Sequence, residues 1–529
     1  MAALCDRCRL CRRLHGYSYA SIAEGCKDRT TLPFSRVGAA QRCHSRVGAA
    51  PVGEPAAYAR TMSSLAQLSA VETAAAVRGR TRSAEEVVAA ALERAEASQA
   101  AYNCFVAIRG DHALAEARAL DAGAPGHDGP LAGVPAVVKT EFDVAGLVTT
   151  LGGRGNTTPA RADSEMVRRL RAAGAIVIGT TTMPEFGQFA FTESAAFGVT
   201  RNPWDISRSP GGSSGGTAVA IATGVAPIGL GADGGGSIRI PAACTGLVGL
   251  KVTRGRVSPA PLTEHWFGLV ALGGLTRTAL DHAVLLDAIA GSLPADRWRL
   301  PDPAEPFAAT AAADPGPRRI VWTTRPATPG VRTDPQVAAV TETMARRLAG
   351  LGHRVRRTGA RWPVFTDAFM PQFYAGMRIE GAQVEHPERL EPRTRQTIRL
   401  SGWARGPVVT GALRRAERVA AALDRRFLTD ADVIVLPTMP LLPAPVGLLD
   451  GLATVRAQIA TVPYVANTAI TNVTGHPSIS VHAGLSREGW PIGVQLIARR
   501  GGEGLLLALA RQLEQTRPEP IAYPTSTAS

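Results

Sequence analysis

Lysine is scarce in this chain, and its few positions are the first place where the sequence points to chemistry. Of 58 basic residues only three are lysine, at Lys27, Lys139 and Lys251. Arginine stays protonated in proteins, whereas a lysine amine can lose its proton. Lys139 ends an apolar run and Lys251 follows Gly249 and Leu250, so we expect both amines to be buried. These two lysines are therefore candidate bases.

Two stretches rich in glycine and serine, residues 209–217 and 229–241, match three familiar motifs in spacing but not in context. A G-x-S-x-G nucleophile elbow at Ser213 would need a hydrophobic strand before it, but a polar Ser-Arg-Ser-Pro segment precedes it. A dinucleotide pattern, G-x-G-x-x-G, meets Pro241 too early for its helix. A phosphate-binding loop would need glycine directly before lysine, and Lys251 follows leucine. We therefore reject all three motifs.

Histidine is absent from residues 128–264, so a serine nucleophile in this block has no local imidazole base. Lys139 is the nearest proton acceptor, although a distant histidine stays an alternative. A serine–lysine arrangement works when burial lowers the pKa of the lysine from about 10.4 by about three units. The Ser-x-x-Lys spacing of β-lactamases is absent, because Ala136 and Val248 stand three residues before the two lysines.

Three consecutive glycines, Gly234, Gly235 and Gly236, stand directly before Ser237. Without a Cβ, these residues can turn several N–H groups towards one point. Such amides would stabilise an oxyanion, and each donor lost would cost roughly 3–4 kcal/mol. The flanking runs at residues 225–230 and 238–250 are too apolar for a flexible surface loop. The segment therefore predicts an oxyanion-binding loop.

The elements that must position these residues alternate between helix and strand. A capping box at residues 83–86 predicts a helix start, since Ser and Glu there can cap each other's backbone. Apolar runs predict strands at residues 134–138, 175–178, 225–230, 433–436, 479–481 and 493–497. Helical spacing predicts helices at residues 164–174, 217–222, 333–351, 413–428 and 504–513. We therefore expect an α/β fold with a parallel or mixed sheet, as a single domain over residues 62–529.

Residues 1–61 differ from the rest of the chain. They carry ten basic and four acidic residues and repeat the sequence SRVGAA at residues 35–40 and 45–50. Cys5, Cys8 and Cys11 followed by His15 have a spacing that could form a metal site, but an arginine-rich segment without hydrophobic periodicity favours a non-metal interpretation. We predict a basic N-terminal extension, either disordered or translated from a misassigned upstream start.

The overall charge of +14 raises a nucleic-acid-binding hypothesis, but the arginines of residues 62–529 are interspersed with acids and are not clustered with aromatic residues. Proline and glycine interrupt every long uncharged run, and the N-terminus lacks a secretory core. We therefore expect a cytoplasmic protein that binds neither nucleic acid nor membrane. A homodimer is compatible with the sequence.

In this order, these motifs resemble the amidase signature family. The lysine segment is GVPAVVK at residues 133–139 with DVAG at 143–146, and the serine- and glycine-rich signature is GGSSGG at 211–216 with DGGGSIRIP at 233–241. GLVGLK at 246–251 continues it, and PSISV at 477–481 and PIGVQLI at 491–497 resemble the family's C-terminal strands. The resemblance extends from about Met62 to the last helix.

The resemblance implies an α/β/α sandwich with a mixed central sheet and a Ser–cisSer–Lys triad that acts through an acyl-enzyme. It assigns Ser237 as the nucleophile, Ser213 as the bridging serine after a cis Gly212–Ser213 bond, and Lys139 as the base. The oxyanion would be held by the amides of Gly234, Gly235, Gly236 and Ser237. Four residues would support the site without reacting: Gly212, Ser214, Asp233 and Arg239. Neither a metal nor a cofactor is expected, and the substrate would be a small carboxylic amide.

Two departures bear on the alternatives. Gly234 to Gly236 replace the Thr-Gly-Gly or Asn-Gly that family members often carry, and Val252 stands where proline is usual after Lys251. The Arg and Tyr cluster of the glutaminase subunit of tRNA-dependent amidotransferases is not found around residues 374–383. A free amidase for linear amides is therefore the leading hypothesis. An amidotransferase subunit is the alternative, and a nucleic-acid-binding protein is the remote one.

Overall fold

The computed structural model describes residues 65–524. The predicted domain boundary at residue 62, the basic extension and the cysteines at residues 5, 8 and 11 lie outside the described residues. They remain predictions. Within residues 65–524, no helix combines the length and apolar character needed to cross a bilayer.

Eleven strands form one mixed sheet in the described part of the chain. Their order across the sheet is β1-β3-β2-β6-β8-β7-β12-β13-β11-β9-β10. Parallel pairs join β3 to β2 and β2 to β6, and antiparallel pairs run from β6 through β8, β7, β12 and β13 to β11. The strands are β1 Phe105–Ile108, β2 Pro135–Lys139, β3 Ile176–Thr181, β6 Ile228–Asp233, β7 Val248–Lys251, β8 Ala271–Thr276, β9 Arg319–Trp322, β10 Arg354–Arg357, β11 Val433–Pro437, β12 Ser478–Leu485 and β13 Pro491–Ala498, with a separate hairpin of β4 Glu193–Ser194 and β5 Gly198–Val199.

Helices cover both faces of this sheet. Alternate residues of one strand enter different apolar clusters: Ala136 and Val138 pack on one side, and Val137 packs on the other. Successive strand side chains point to opposite faces, so a strand buried in two clusters is covered on both sides. The helices are Ala70–Arg78, Ala84–Tyr102, Gly110–Asp121, Glu165–Ala172, Gly215–Ala222, Arg239–Thr245, Ala279–Ile289, Phe307–Ala312, Pro335–Gly350, Thr366–Gln383, Pro392–Leu400, Gly406–Leu423, Thr454–Val465, Ala469–Thr474 and Glu503–Gln515. The predicted α/β/α sandwich with a mixed sheet is confirmed.

One inference from the sequence was wrong in detail. We expected Pro241 to prevent a helix, yet Arg239–Thr245 is helical with Pro241 in its first turn. Proline is tolerated there because the first N–H groups of a helix have no partner within it. The dinucleotide pattern fails for another reason: Gly229 and Gly231 lie inside strand β6 and not in a turn.

The sheet brings two candidate segments to the same edge. β2 ends at Lys139 and β6 ends at Asp233, and the two strands are parallel neighbours. Parallel neighbours end on the same side of a sheet, so Lys139 and the glycine loop after Asp233 emerge side by side. This arrangement follows from the pairing of two strands that lie about ninety residues apart in the sequence.

Candidate active site

Lys139 is buried at the carboxyl end of β2, and its side chain is 1% exposed. Apolar residues fill both faces of this strand, so the amine has few partners available. It donates a hydrogen bond to Ser213 Oγ at 2.7 Å. The structure thus brings together two of the three residues that the resemblance assigns to the triad.

Ser213 lies in a tight turn just before the helix Gly215–Ala222. The Gly212–Ser213 peptide bond is cis, and Gly211 has a positive φ of 78°. A Cβ on Gly212 would lie 2.7 Å from the backbone nitrogen of Phe191, so only glycine fits there. Ser214 Oγ donates weakly to the Ala232 carbonyl at 3.4 Å. The glycines therefore allow the close backbone approach that brings the Ser213 hydroxyl to Lys139.

Ser237 follows the glycine loop at the end of β6. Its carbonyl accepts a hydrogen bond from the Ser214 amide at 3.1 Å, which joins the two serine segments directly. Ser237 lines a cavity of about 350 Å³ together with Gly212 and Gly235. The predicted nucleophile therefore lines open space, and its backbone is joined to the segment that carries Ser213.

Asp233 and Arg239 form a fully buried ion pair under this loop. Arg239 donates to the Asp233 carboxylate from Nε at 2.9 Å and from Nη2 at 2.7 Å. Burial alone would raise the pKa of Asp233, but the Arg239 charge, hydrogen bonds from Arg239 and Asn472 and the nearby Lys251 together lower it to about 2. Arg239 also donates to the side chains of Thr471, Ser478 and Gln495. The pair therefore ties the loop to the helix and strands of the C-terminal part.

The loop amides are not all available to a ligand. Gly236 N donates to Asp233 Oδ1 at 2.8 Å, so its N–H is already engaged by the carboxylate. This amide, which the sequence suggested as an oxyanion donor, therefore has a structural partner. Gly235 and Ser237 line the cavity, and among residues 65–524 neither amide has a protein acceptor. Gly235 and Ser237 are thus the donors best placed to bind an oxyanion.

The cavity at Ser237 has walls of apolar and uncharged polar side chains, and none of its lining residues is charged. Trp266 and Phe373 pack edge to face with ring centroids 5.3 Å apart, and Phe369 stacks on Phe373 at 6.0 Å. Gln458 accepts a hydrogen bond from the Tyr374 hydroxyl at 2.8 Å. The remaining lining residues include Phe189, Ile240, Met370, Val455, Ile459, Val462 and Val465.

A polar cluster that the sequence analysis missed lies behind Lys139. Glu141 Oε2 is 2.5 Å from the Lys139 amine, and Glu141 Oε1 is 3.8 Å from His265 Nδ1. His265 Nε2 in turn is 2.6 Å from Glu380 Oε1, which also accepts from the Trp266 indole at 2.8 Å. Burial lowers the pKa of His265, but Glu380 and Glu141 outweigh it and raise that pKa overall. The only sign of this cluster in the sequence was Glu141, an acidic residue two positions after Lys139.

The other candidate base has different surroundings. Lys251 is also buried, and its amine donates to the Val252 carbonyl at 2.8 Å. Burial and the Arg239 charge hold the pKa of Lys251 well below its usual range. Neither lysine lines the cavity at Ser237, but Lys139 donates to Ser213, which follows a residue of that cavity, Gly212. The hydroxyl partner therefore distinguishes Lys139 from Lys251.

Known proteins of one family are similar to this chain in sequence and in fold. A sequence model of the Amidase family matches residues 86–507. AmiB2 of Mycobacterium tuberculosis strain H37Rv, named as an amidase, is 41% identical over 433 residues, which cover 81% of this chain and 91% of AmiB2. The substrate-bound structure of 6-aminohexanoate cyclic dimer hydrolase aligns with a TM-score of 0.81 and 31% identity, over 87% of this chain and 99% of that one. A bacterial aryl acylamidase aligns with a TM-score of 0.75 and 26% identity, over 85% and 96%.

Proposed function

The chain belongs to the amidase family and is an amide hydrolase, and from that premise we propose that Lys139, Ser213 and Ser237 form its catalytic triad. The observation that carries this proposal is the buried Lys139 amine at 2.7 Å from Ser213 Oγ. A hydroxyl so close to a buried amine can pass a proton to it when it receives one from a second hydroxyl. Ser237 is the serine that faces the cavity, so we assign it as the nucleophile.

In the proposed acylation step, Ser237 Oγ attacks the carbonyl carbon of the amide. The Ser237 proton moves to Ser213 Oγ, and the Ser213 proton moves to the neutral Lys139 amine. The carbonyl oxygen becomes an oxyanion, which the amides of Gly235 and Ser237 would stabilise. When the C–N bond breaks, the same proton returns through Ser213 to the leaving nitrogen. The products of this step are an acyl-enzyme, in which the acyl group is esterified to Ser237, and a free amine or ammonia.

Deacylation repeats the relay with water as the nucleophile. Water gives its proton through Ser213 to Lys139, attacks the ester carbonyl and forms a second oxyanion in the same loop. Return of the proton to Ser237 releases the carboxylic acid. The relay therefore ends in the protonation state in which it began, with no metal or cofactor in any step.

The cavity at Ser237 favours uncharged amides with apolar or aromatic acyl groups. Its aromatic walls can bury a ring or chain, and no lining residue carries a charge that would pair with a charged substrate. Free glutamine brings an ammonium and a carboxylate, which would lose hydration there without compensation. This argues against the glutaminase subunit of an amidotransferase. The name of the aryl acylamidase among the similar structures indicates an aromatic amide substrate, which agrees with an uncharged cavity that has aromatic walls.

The proposal is tested by trapping the nucleophile. We expect a fluorophosphonate to label the purified protein, and peptide mapping to place the label on Ser237. Ser237→Ala should abolish labelling, whereas Ser209→Ala, a buried serine outside the triad, should retain it. Label on another residue would contradict the assignment of the nucleophile. Hydrolysis that strictly requires an added partner protein would instead support the amidotransferase alternative.

We also propose a cytoplasmic location and a small-molecule amide as the only obligatory partner, with a homodimer as the assembly to test. Binding to heparin or DNA that persists at moderate salt would contradict the exclusion of nucleic acid, because such binding depends steeply on salt.

A further inference from the structure

The Lys139 amine has contacts on two sides. On one side it donates to Ser213 Oγ at 2.7 Å, and on the other it lies 2.5 Å from the Glu141 carboxylate. The side chain of Glu141 is 10% exposed, so both partners of this ion pair are largely removed from water. Two charges that are this close and this deeply buried interact strongly, so a change in the charge of one residue alters the energy of the charge on the other.

Glu141 belongs to a second cavity, separate from the one at Ser237. This cavity has a volume of about 330 Å³ and is lined by Glu141, Asp143, His265 and Glu380 among others. No residue lines both cavities. The two contacts of the lysine therefore lead to different spaces: Ser213 follows Gly212, which lines the cavity at Ser237, and Glu141 lines the second cavity.

The proposed reaction moves a positive charge onto Lys139. Acylation transfers one proton to the amine, so an ammonium forms where little water can solvate it, and burial makes such a charge costly. A carboxylate 2.5 Å away offsets this cost at the moment when the charge appears. The same carboxylate also favours the ammonium before the reaction, and in that state the amine cannot accept a proton. The carboxylate therefore has two opposite effects on the rate: it stabilises the ammonium that forms during the reaction, and it reduces the fraction of neutral amine before the reaction. These two effects depend on pH in different ways.

We propose that Glu141 is a positioning residue for Lys139, which holds the amine towards Ser213 and stabilises the ammonium formed in acylation and deacylation. The inference rests on the proposed function of Lys139 as the base. Glu141 stabilises the ammonium as its ion-pair partner and takes no proton itself. The proton goes from Ser237 to Ser213, from Ser213 to Lys139, and back by the same path to the leaving nitrogen.

His265 and Glu380 complete the charges around Glu141. His265 lies 3.8 Å from Glu141 and 2.6 Å from Glu380, and these carboxylates raise its pKa, so its protonated form would balance their charge. Asp143 lines the same cavity, and its carboxylate accepts a hydrogen bond from the Thr149 hydroxyl at 2.5 Å. The titratable groups that face Glu141 are thus Lys139 and Asp143 from its own segment, His265 from the loop before β8, and Glu380 from the helix Thr366–Gln383.

The test compares pH profiles of kcat/KM for the full chain and three variants. In Glu141→Gln the amide still fits but carries no charge. We expect its activity on the alkaline plateau to fall by about 100-fold, as for loss of one charge-stabilising group. We also expect its acid limb to move to lower pH by about one unit or more, since a neutral neighbour no longer favours the ammonium.

Two further variants separate this role from a structural one. Glu141→Asp keeps the charge, so its acid limb should stay near that of the parent protein even if its plateau is lower. Asp143→Asn removes a charge from the same cavity without removing the partner of Lys139, so its acid limb should also stay in place. Thermal unfolding midpoints of all variants identify any that fold poorly.

The outcomes distinguish this inference from the proposed function. If the Glu141→Gln variant folds and has the same pH profile as the parent protein, the proposed role of Glu141 is wrong. An acid limb that moves equally in Asp143→Asn would also overturn it, because the effect would then come from general charge. If Lys139→Arg and Ser237→Ala retain activity, the triad itself is wrong, whatever Glu141 does.

Discussion

The two buried lysines occupy the same fold in contrasting surroundings. Lys139 contacts a hydroxyl and a carboxylate, whereas Lys251 donates to the carbonyl of the next residue within the core. Both side chains are about 1% exposed, so burial alone does not distinguish them. A buried amine acts as a base only where a proton donor contacts it and a substrate can reach the relay. The hydroxyl contact is why we propose Lys139, and not Lys251, as the base.

The largest expected effect comes from changing each lysine in turn. Lys139→Arg keeps the charge but removes a group that can lose its proton, so we expect kcat/KM to fall by on the order of 10³- to 10⁴-fold. Lys251→Met has a similar volume and lies outside the cavity, so its kcat/KM should stay within about threefold. Steady-state kinetics on an uncharged aryl amide measure both. Equal losses in the two variants would break the comparison.

The Asp233–Arg239 pair lies under the loop before Ser237 and is near Lys251, so it tests how the loop depends on the core. Asp233→Asn leaves the buried Arg239 charge without its partner, which should lower the free energy of unfolding by about 3–5 kcal/mol. Asparagine also offers one acceptor oxygen where aspartate offers two, so the Gly236 and Ile238 amides cannot both keep their side-chain acceptor, and activity should fall as well. Urea unfolding followed by circular dichroism measures the first effect. A stable variant would show that the pair is not essential for the loop.

The smallest effect concerns stability at Lys251. Its pKa is lowered in the folded protein, so between that pKa and the unfolded value of about 10.4 the unfolded chain binds more protons. Stability contributed by this residue is therefore present at high pH and lost as the pH falls. Lys251→Met should gain stability over the parent protein at pH 7.

The stability advantage of Lys251→Met should disappear towards pH 10. There its free energy of unfolding should be about 1 kcal/mol below that of the parent protein, because the hydrogen bond to Val252 is missing. Urea midpoints at several pH values measure the change. A difference between variant and parent that does not vary with pH would contradict the assignment of Lys251 as a neutral, structural amine.

Much of the fold could be predicted from local patterns. Strand β2 and the helix Gly215–Ala222 were predicted within about two residues, because an unbroken apolar run and a compact apolar segment between glycine turns are strong local signals. The helix Thr366–Gln383 was not predicted. It contains Pro371 and is apolar on more than one side, so its periodicity is weak. Its burial against Trp266 is decided by tertiary packing.

The candidate site divides in the same way. Lysine scarcity made Lys139 a candidate base, and Ser213 and Ser237 were assigned from the resemblance of their glycine-rich segments to the family signature. The hydrogen bond from the Gly236 amide to Asp233 could not be predicted, since it depends on how the loop folds. Nor could the contacts of His265 with Glu141 and Glu380 be predicted, because the three residues come from segments more than one hundred residues apart.

The sequence by itself thus determined which groups are available: a lysine that can lose its proton, serines beside glycines that let backbone approach closely, and apolar runs long enough for a buried sheet. Only the tertiary structure decided which of two buried lysines meets a hydroxyl and which acid lies against it. The physical reason is that burial follows from local hydrophobic pattern, whereas proton transfer needs contact distances, and those are set by the pairing of strands and helices distant along the chain.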